Sequence, residues 1–292
     1  EFVIHESRND FKSLISFLLS IRKLQYYMVG YNNVFYDAQM LQYILNNHAE
    51  LSVLPANIIA KAIHQESQRL ITLPEQRRFE GIVPESKLYM RQIDLYKQKH
   101  YDGKAKRTSL KWLEFTMNMN SIEEMPISPD DCVNEDQIDS ILGYNWHDVY
   151  ATKEFFKMNK FETELRLKLS EQFGLPLLNA SEPRMAREIL AKLLAEDLGI
   201  SITELKAKRT FRNEIHLGKC IIPTVKFKDN VFKELVKKLK ATTVNGNNLK
   251  GSFEYSINYK GIDIDYGVGG VHGIVKSGVY ASDEEYIIKT LD

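Results

Sequence analysis

Tyr26-Tyr27-Met28-Val29-Gly30-Tyr31-Asn32-Asn33-Val34-Phe35-Tyr36-Asp37 is the stretch on which the reading of this chain turns. Tyr26 to Val29 has the composition of a short buried strand, and Gly30 closes it. An amide side chain follows in the turn, and a carboxylate opens the next helix, over Asp37–Leu45. A strand end holds Asp37 in place, and Asn32 can hydrogen-bond a nucleotide without adding charge. That geometry suits metal and phosphate chemistry. Taken alone, Asn-Asn is equally a turn and Asp37 a helix cap.

Outward from this stretch, strands and helices alternate. Residues 1–6 read as the edge of a strand. Asn9 and Asp10 are placed to cap a helix over Phe11, Leu14, Ile15 and Leu18. Residues 55–70 form an amphipathic helix with a boundary after Leu73, and Leu88–Tyr96 is strand-like. Lys104–Lys111 is basic and opens a helix at Thr108 or Ser109. An acidic, proline-containing loop spans Pro126–Asp136. A long helix runs from about Gln137 to Lys160, and further helices cover 162–172 and 183–197. After Gly218 the pattern changes: Ile221–Phe227 reads as a strand, Phe232–Leu239 as a helix, and Asn245-Gly246 and Lys260-Gly261 as turns between short strands. The alternation in the first half predicts an α/β sheet covered by helices, with chemistry at the loops that leave the strand ends.

The 292 residues carry 39 basic and 39 acidic side chains. Net neutrality excludes a protein that coats DNA by bulk charge, but not an enzyme that grips a short stretch of backbone. Cys132 and Cys220 are isolated, which points to a reducing compartment and no disulfide framework. The seven histidines show no ligand spacing. There is no apolar run near the roughly 20 residues of a membrane helix, so no membrane partner is expected.

A second stretch bears on function: Tyr144-Asn145-Trp146-His147-Asp148-Val149-Tyr150-Ala151-Thr152. Tyr144 and Asp148 share a helix face, and Thr152 lies one turn further along it. A phenol beside a carboxylate on one rigid face can hold a metal ion and orient water. Alone, it is equally an amphipathic helix with a solvated acid.

The two stretches together resemble the DEDD nuclease superfamily. Asn32-x-x-x-Tyr36-Asp37 resembles its second exonuclease motif. Tyr144-x-x-x-Asp148 resembles the third, in the tyrosine variant; the histidine variant would need His where Gly143 stands. Ile93-Asp94-Leu95 and Ser109-Leu110-Lys111-Trp112-Leu113 are similar to segments between those motifs in phage-type family B DNA polymerases. Gly267-Val268-Gly269-Gly270-Val271-His272-Gly273 resembles the glycine-rich segment between exonuclease and polymerase regions. There Tyr266 stands one residue further from Gly269-Gly270 than in the family's Y-x-G-G element. Ile287–Asp292 resembles the strand that leads into polymerase motif A.

The resemblance implies a ribonuclease-H-like mixed sheet with flanking helices over 1–175, a helical connector over 176–217, and a smaller α/β segment over 218–292 that leads toward a polymerase palm. It implies a parent DNA polymerase with a 3′→5′ proofreading exonuclease, acting in the cytoplasm, the host's if viral. Asp37, Tyr144 and Asp148 would be catalytic. Asp37 and Asp148 would help hold two Mg²⁺ or Mn²⁺ ions, and Asp292 a polymerase ion. Asn32, Tyr36, Thr152, Tyr266, Gly269 and Gly270 would contact the single-stranded primer 3′ end or the primer-template. Three basic groups are candidate phosphate contacts: Lys104, Lys106, Arg107 and Lys111; Lys206, Lys208, Arg209 and Arg212; and Lys237, Lys238 and Lys240. The family's first motif, D-x-E, is not found before residue 30. The chain therefore reads as a piece of something longer, inert by itself. The alternatives are a standalone DEDD exonuclease and a degenerate, non-catalytic nuclease-like module that binds nucleic acid.

Overall fold

The computed structural model describes all residues except 74–80, 100–107, 129–130, 209–211, 247–252, 268–269, 275–280, 286 and 288–292. It is mixed α/β, mostly helical with small sheets, and it divides into two compact units, Glu1–Ile202 and Thr203–Asp292.

In the first unit, β1 (Ile4–His5) and β2 (Arg8–Asn9) form a tight antiparallel hairpin. It leads into α1 (Phe11–Leu24). Asn9 Oδ1 accepts from the Phe11 N–H at 3.1 Å, so the asparagine meets a donor at the start of α1. Asp10 instead accepts from the Val3 N–H and from Arg8. Next come β3 (Tyr27–Gly30), α2 (Asp37–Asn46), α3 (His48–Leu51) and α4 (Ala56–Ile71). They are followed by β4 (Arg91–Asp94), α5 (Leu95–Lys99) and α6 (Leu110–Thr116). Ser109 Oγ accepts from the Trp112 N–H, which starts α6 where a cap residue was expected. The long helix α7 (Ile138–Met158) stops at Asn159, and α8 (Lys160–Phe173) and α9 (Glu182–Asp197) complete the unit.

β3 and β4 pair in parallel, Tyr27 opposite Arg91 and Gly30 opposite Asp94. A parallel pair needs a long crossover, here the helices α2 to α4. One apolar cluster lies under that crossover and includes Phe11, Leu18, Ile44 and Ile59. A second joins Ile93 and Leu95 to Leu113 and Phe155, and so fastens α6 and α7 to the strand pair.

The predicted strand Leu88–Tyr96 forms only over Arg91–Asp94: a buried amide takes the Tyr89 N–H before it, and α5 begins directly after it at Leu95. Gln42 Oε1 accepts from the Tyr89 N–H, and Gln39 bonds both the N–H and the carbonyl of Val83. On the outer edge of β4, Asn179 Oδ1 accepts from the Asp94 N–H at 2.8 Å, while its Nδ2 donates to the Gln92 carbonyl at 2.9 Å. One asparagine thus stands in for a rung of a further strand. Arg166, almost wholly buried, donates to the carbonyls of Gln98, Ala180 and Glu162 and ties α8 to the same layer.

The second unit begins around α10 (Ile202–Ala207). β5 (Glu214–His216) pairs antiparallel with β6 (Thr243–Asn245), on either side of α11 (Asn230–Ala241) in sequence. β7 (Glu254–Tyr259), β8 (Ile262–Gly267) and β9 (Gly270–Ile274) form an antiparallel meander. Its first turn uses Lys260 and Gly261 at positive φ, 53° and 83°. The predicted strand Ile221–Phe227 is not formed. Pro223 lacks the N–H a ladder needs, and Phe227 stacks on Phe232 of α11 at 5.3 Å.

Candidate functional site

At the C-terminal ends of β3 and β4 the chain makes a close turn around one carboxylate. Asn32 takes a left-handed conformation, φ 62°, which asparagine tolerates better than most residues. The turn directs two N–H groups at Asp94: Asn32 N donates to Oδ1 and Val34 N to Oδ2, both at 3.0 Å. The Lys97 N–H also donates to Oδ1, at 3.1 Å. Gly30 fits because the turn passes so near; a Cβ there would lie 2.6 Å from the Asn33 Cβ. Asp94 is fully buried. Burial raises its carboxyl above the ordinary value, and the three N–H donors and Lys97 oppose that rise.

Asp37 opens α2 three residues beyond Val34. Its side chain reaches solvent, yet enough protein surrounds it that desolvation raises its carboxyl, and the neighbouring Asp94 raises it further. Helix N-termini favour negative charge, but the causes of its shift include no basic side chain. Tyr36 turns away: its hydroxyl lies 2.5 Å from Ser67 Oγ of α4.

α7 packs on β3 and carries the second pair. Burial raises the Tyr144 phenol to about 12, and the adjacent Asp148 charge contributes. The Tyr144 hydroxyl donates to Asp148, which offsets part of the upward shift that burial imposes on that acid. Thr152 is half-buried on the next turn. Lys111 of α6 pairs with Glu124 and lies 5.7 Å from the centre of the Tyr144 ring.

No spacing or motif in the chain points to what fixes the rotation of α7. His147, next to the acid, is buried. Its Nε2 lies 3.2 Å from Glu114, which is fully buried, and its Nδ1 lies 3.6 Å from Glu123. These contacts clamp α7 to α6 and so hold Tyr144 and Asp148 in place. Asp94 was visible only as part of a segment, and its role emerges from the parallel register that sets it beside Gly30.

The structure therefore brings Tyr144 together with Asp148, and Asp37 next to Asp94. Among the described residues, it gathers no three His, Cys, Asp or Glu side chains into a group that could hold a metal ion. Asp94 is engaged by backbone donors at both oxygens, leaving Asp37 and Asp148 as the candidate ligands. Mg²⁺ demands near-octahedral oxygen coordination and usually retains several waters, and two separated acids are a partial set. Tyr266 and Gly270 belong to the second unit, where Tyr266 pairs with Val271 and Gly267 with Gly270. Gly269, Asp292, Lys104, Lys106, Arg107 and Arg209 lie outside the described residues. No helix among the described residues is long and apolar enough to cross a membrane. No family model matches the chain, and neither curated proteins nor solved structures yield a match.

Proposed function

We propose that the first unit is the 3′→5′ exonuclease part of a DNA polymerase, with a ribonuclease-H-like core that is incomplete in residues 1–292. One observation carries this reading. Two parallel strands end side by side at Gly30 and Asp94, an Asn-led turn into Asp37 leaves the first of them, and α7, which packs on β3, carries a hydrogen-bonded Tyr144–Asp148 pair. A nuclease that removes a terminal nucleotide needs such an arrangement: amide and phenol groups to orient substrate and water, and carboxylates set apart on rigid elements.

A second observation indicates how the site would be completed. β4 has its outer edge covered by Asn179, whereas β3 has no partner on its other edge among the described residues, and Tyr27 and Val29 are each 38% exposed. Parallel strands are ordinarily covered on both faces. A strand bearing two more acids along that edge would fill the sheet and the ligand set together. Bound Mg²⁺ or Mn²⁺ would then polarise the phosphodiester. The residues present would do the positioning: Asp148 holds the Tyr144 hydroxyl, His147 holds α7, and the Asp94 knot holds the turn that carries Asn32.

The lack of a three-ligand group among the described residues favours a second reading, a nuclease-like module that binds nucleic acid without cleaving it. The experiment is hydrolysis of 3′-labelled single-stranded DNA with Mg²⁺ or Mn²⁺, by residues 1–292 and by the full-length protein. The exonuclease reading expects no cleavage by residues 1–292 and metal-dependent cleavage by the full-length protein that Asp148→Ala abolishes. Binding without cleavage by the full-length protein replaces it with the second reading.

A further inference from the structure

Alongside the same two strands, from Tyr27, Tyr89 and Arg91 near their N-terminal ends to Phe35 and Lys97 beyond their C-terminal ends, lies a cavity of about 700 Å³, bordered also by Arg184. Ligand pockets commonly fall in the range of roughly 300–1,000 Å³. The aromatic residues supply apolar wall: Phe35 is buried, Tyr27 and Tyr89 are 38% and 37% exposed, and the Arg22 guanidinium lies 4.3 Å from the centre of the Tyr89 ring. The charges are unbalanced. Glu85 is the one carboxylate among the described lining residues, and it is taken up by Lys97 at 2.7 Å and Asn179 Nδ2 at 2.6 Å. Neither Arg91 nor Arg184 is paired with a carboxylate among the described residues, and the Arg91 guanidinium lies 5.4 Å from the centre of the Tyr27 ring.

An aromatic wall beside two uncompensated guanidinium groups fits a ligand with a flat ring and an anionic oxygen cluster. Arginine presents a planar fork that matches phosphate oxygens, and it stacks on aromatic faces. A phosphate on Arg91 and Arg184 would leave the base against the tyrosine rings. We infer that this cavity is a binding site for a nucleoside monophosphate, lined by neither Asp37 nor Asp148 and independent of whether those acids cleave DNA.

The test is binding to residues 1–292 in EDTA, measured by calorimetry, with deoxyadenosine monophosphate, deoxyadenosine and inorganic phosphate compared. The monophosphate should bind at least tenfold more tightly than either part. Arg91→Gln and Arg184→Gln should each weaken it at least tenfold. Both side chains are exposed, so thermal unfolding should be unchanged and separates lost binding from lost fold. Asp148→Asn should leave the affinity as it is, which distinguishes this cavity from the candidate nuclease site. Equal binding of phosphate alone, equal binding of the nucleoside alone, no binding of the monophosphate, or indifference to both arginine substitutions would each overturn the assignment.

Discussion

Asp94 and Asp37 are neighbours, and both carboxyls are raised by desolvation, but they are treated oppositely by the fold. Asp94 is fully buried and receives three backbone N–H groups. Asp37, like Asp148 on α7, keeps contact with solvent. A buried carboxylate bonded this way ties strand, turn and helix into one piece. An acid left crowded, near another negative charge and with an open side, adds little to stability and is suited to a cation. The contrast separates residues that build the site from residues that would act in it.

The largest expected effect is on activity. On the exonuclease reading proposed above, Asp148→Ala should reduce metal-dependent turnover by about 10³-fold, the equivalent of roughly 4 kcal/mol of lost transition-state stabilisation, with little change in the unfolding midpoint. Loss of folding with loss of activity would place Asp148 beside Asp94 as a structural acid. Asp94→Ala should behave in the reverse way and lower stability by about 3 kcal/mol, because it strips several charge-assisted bonds from buried N–H groups. Urea unfolding reads this directly. Unchanged stability would break the contrast.

Arg166→Met tests the other buried charge. Its lowered pKa reflects burial, and its bonds run to carbonyls that would lose their donors. A loss of about 2 kcal/mol is expected; a gain in stability would mean that desolvating the guanidinium outweighs its bonds. The smallest effect concerns Asp37. A carboxyl raised on folding holds its proton more firmly in the native state, so stability falls as pH rises from the unfolded value, near 4, through the raised folded one. Asp37→Asn should flatten that decline and raise the melting temperature slightly at neutral pH. An unchanged pH profile would mean that Asp37 is as well solvated folded as unfolded.

Much of the local structure was legible in the chain. The strand ending at Gly30, the helix opening at Asp37, the Ser109 start of α6 and the span of α7 follow from periodicity, capping and glycine, all short-range signals. The Ile221–Phe227 strand misled because apolar β-branched content outweighed the single proline. Tyr144 and Asp148 were legible as a pair because helical spacing alone brings them together. That Asp94 would anchor the site was not, since its donors come from residues 60 or more positions away in the chain as well as from the helix that follows it.

Glycine, capping residues and periodicity specified the strand that ends at Gly30, the helix that opens at Asp37 and the side chains that share a face of α7. Those features depend on neighbours within a few residues. Packing settled that Asp94 is buried while Asp37 stays open, that His147 clamps α7 through Glu114, that Asn179 closes one sheet edge while the other has no strand partner among the described residues, and that Arg91 and Arg184 border one cavity. Each of these depends on desolvation or on partners far apart in the chain, and neither is encoded in local periodicity.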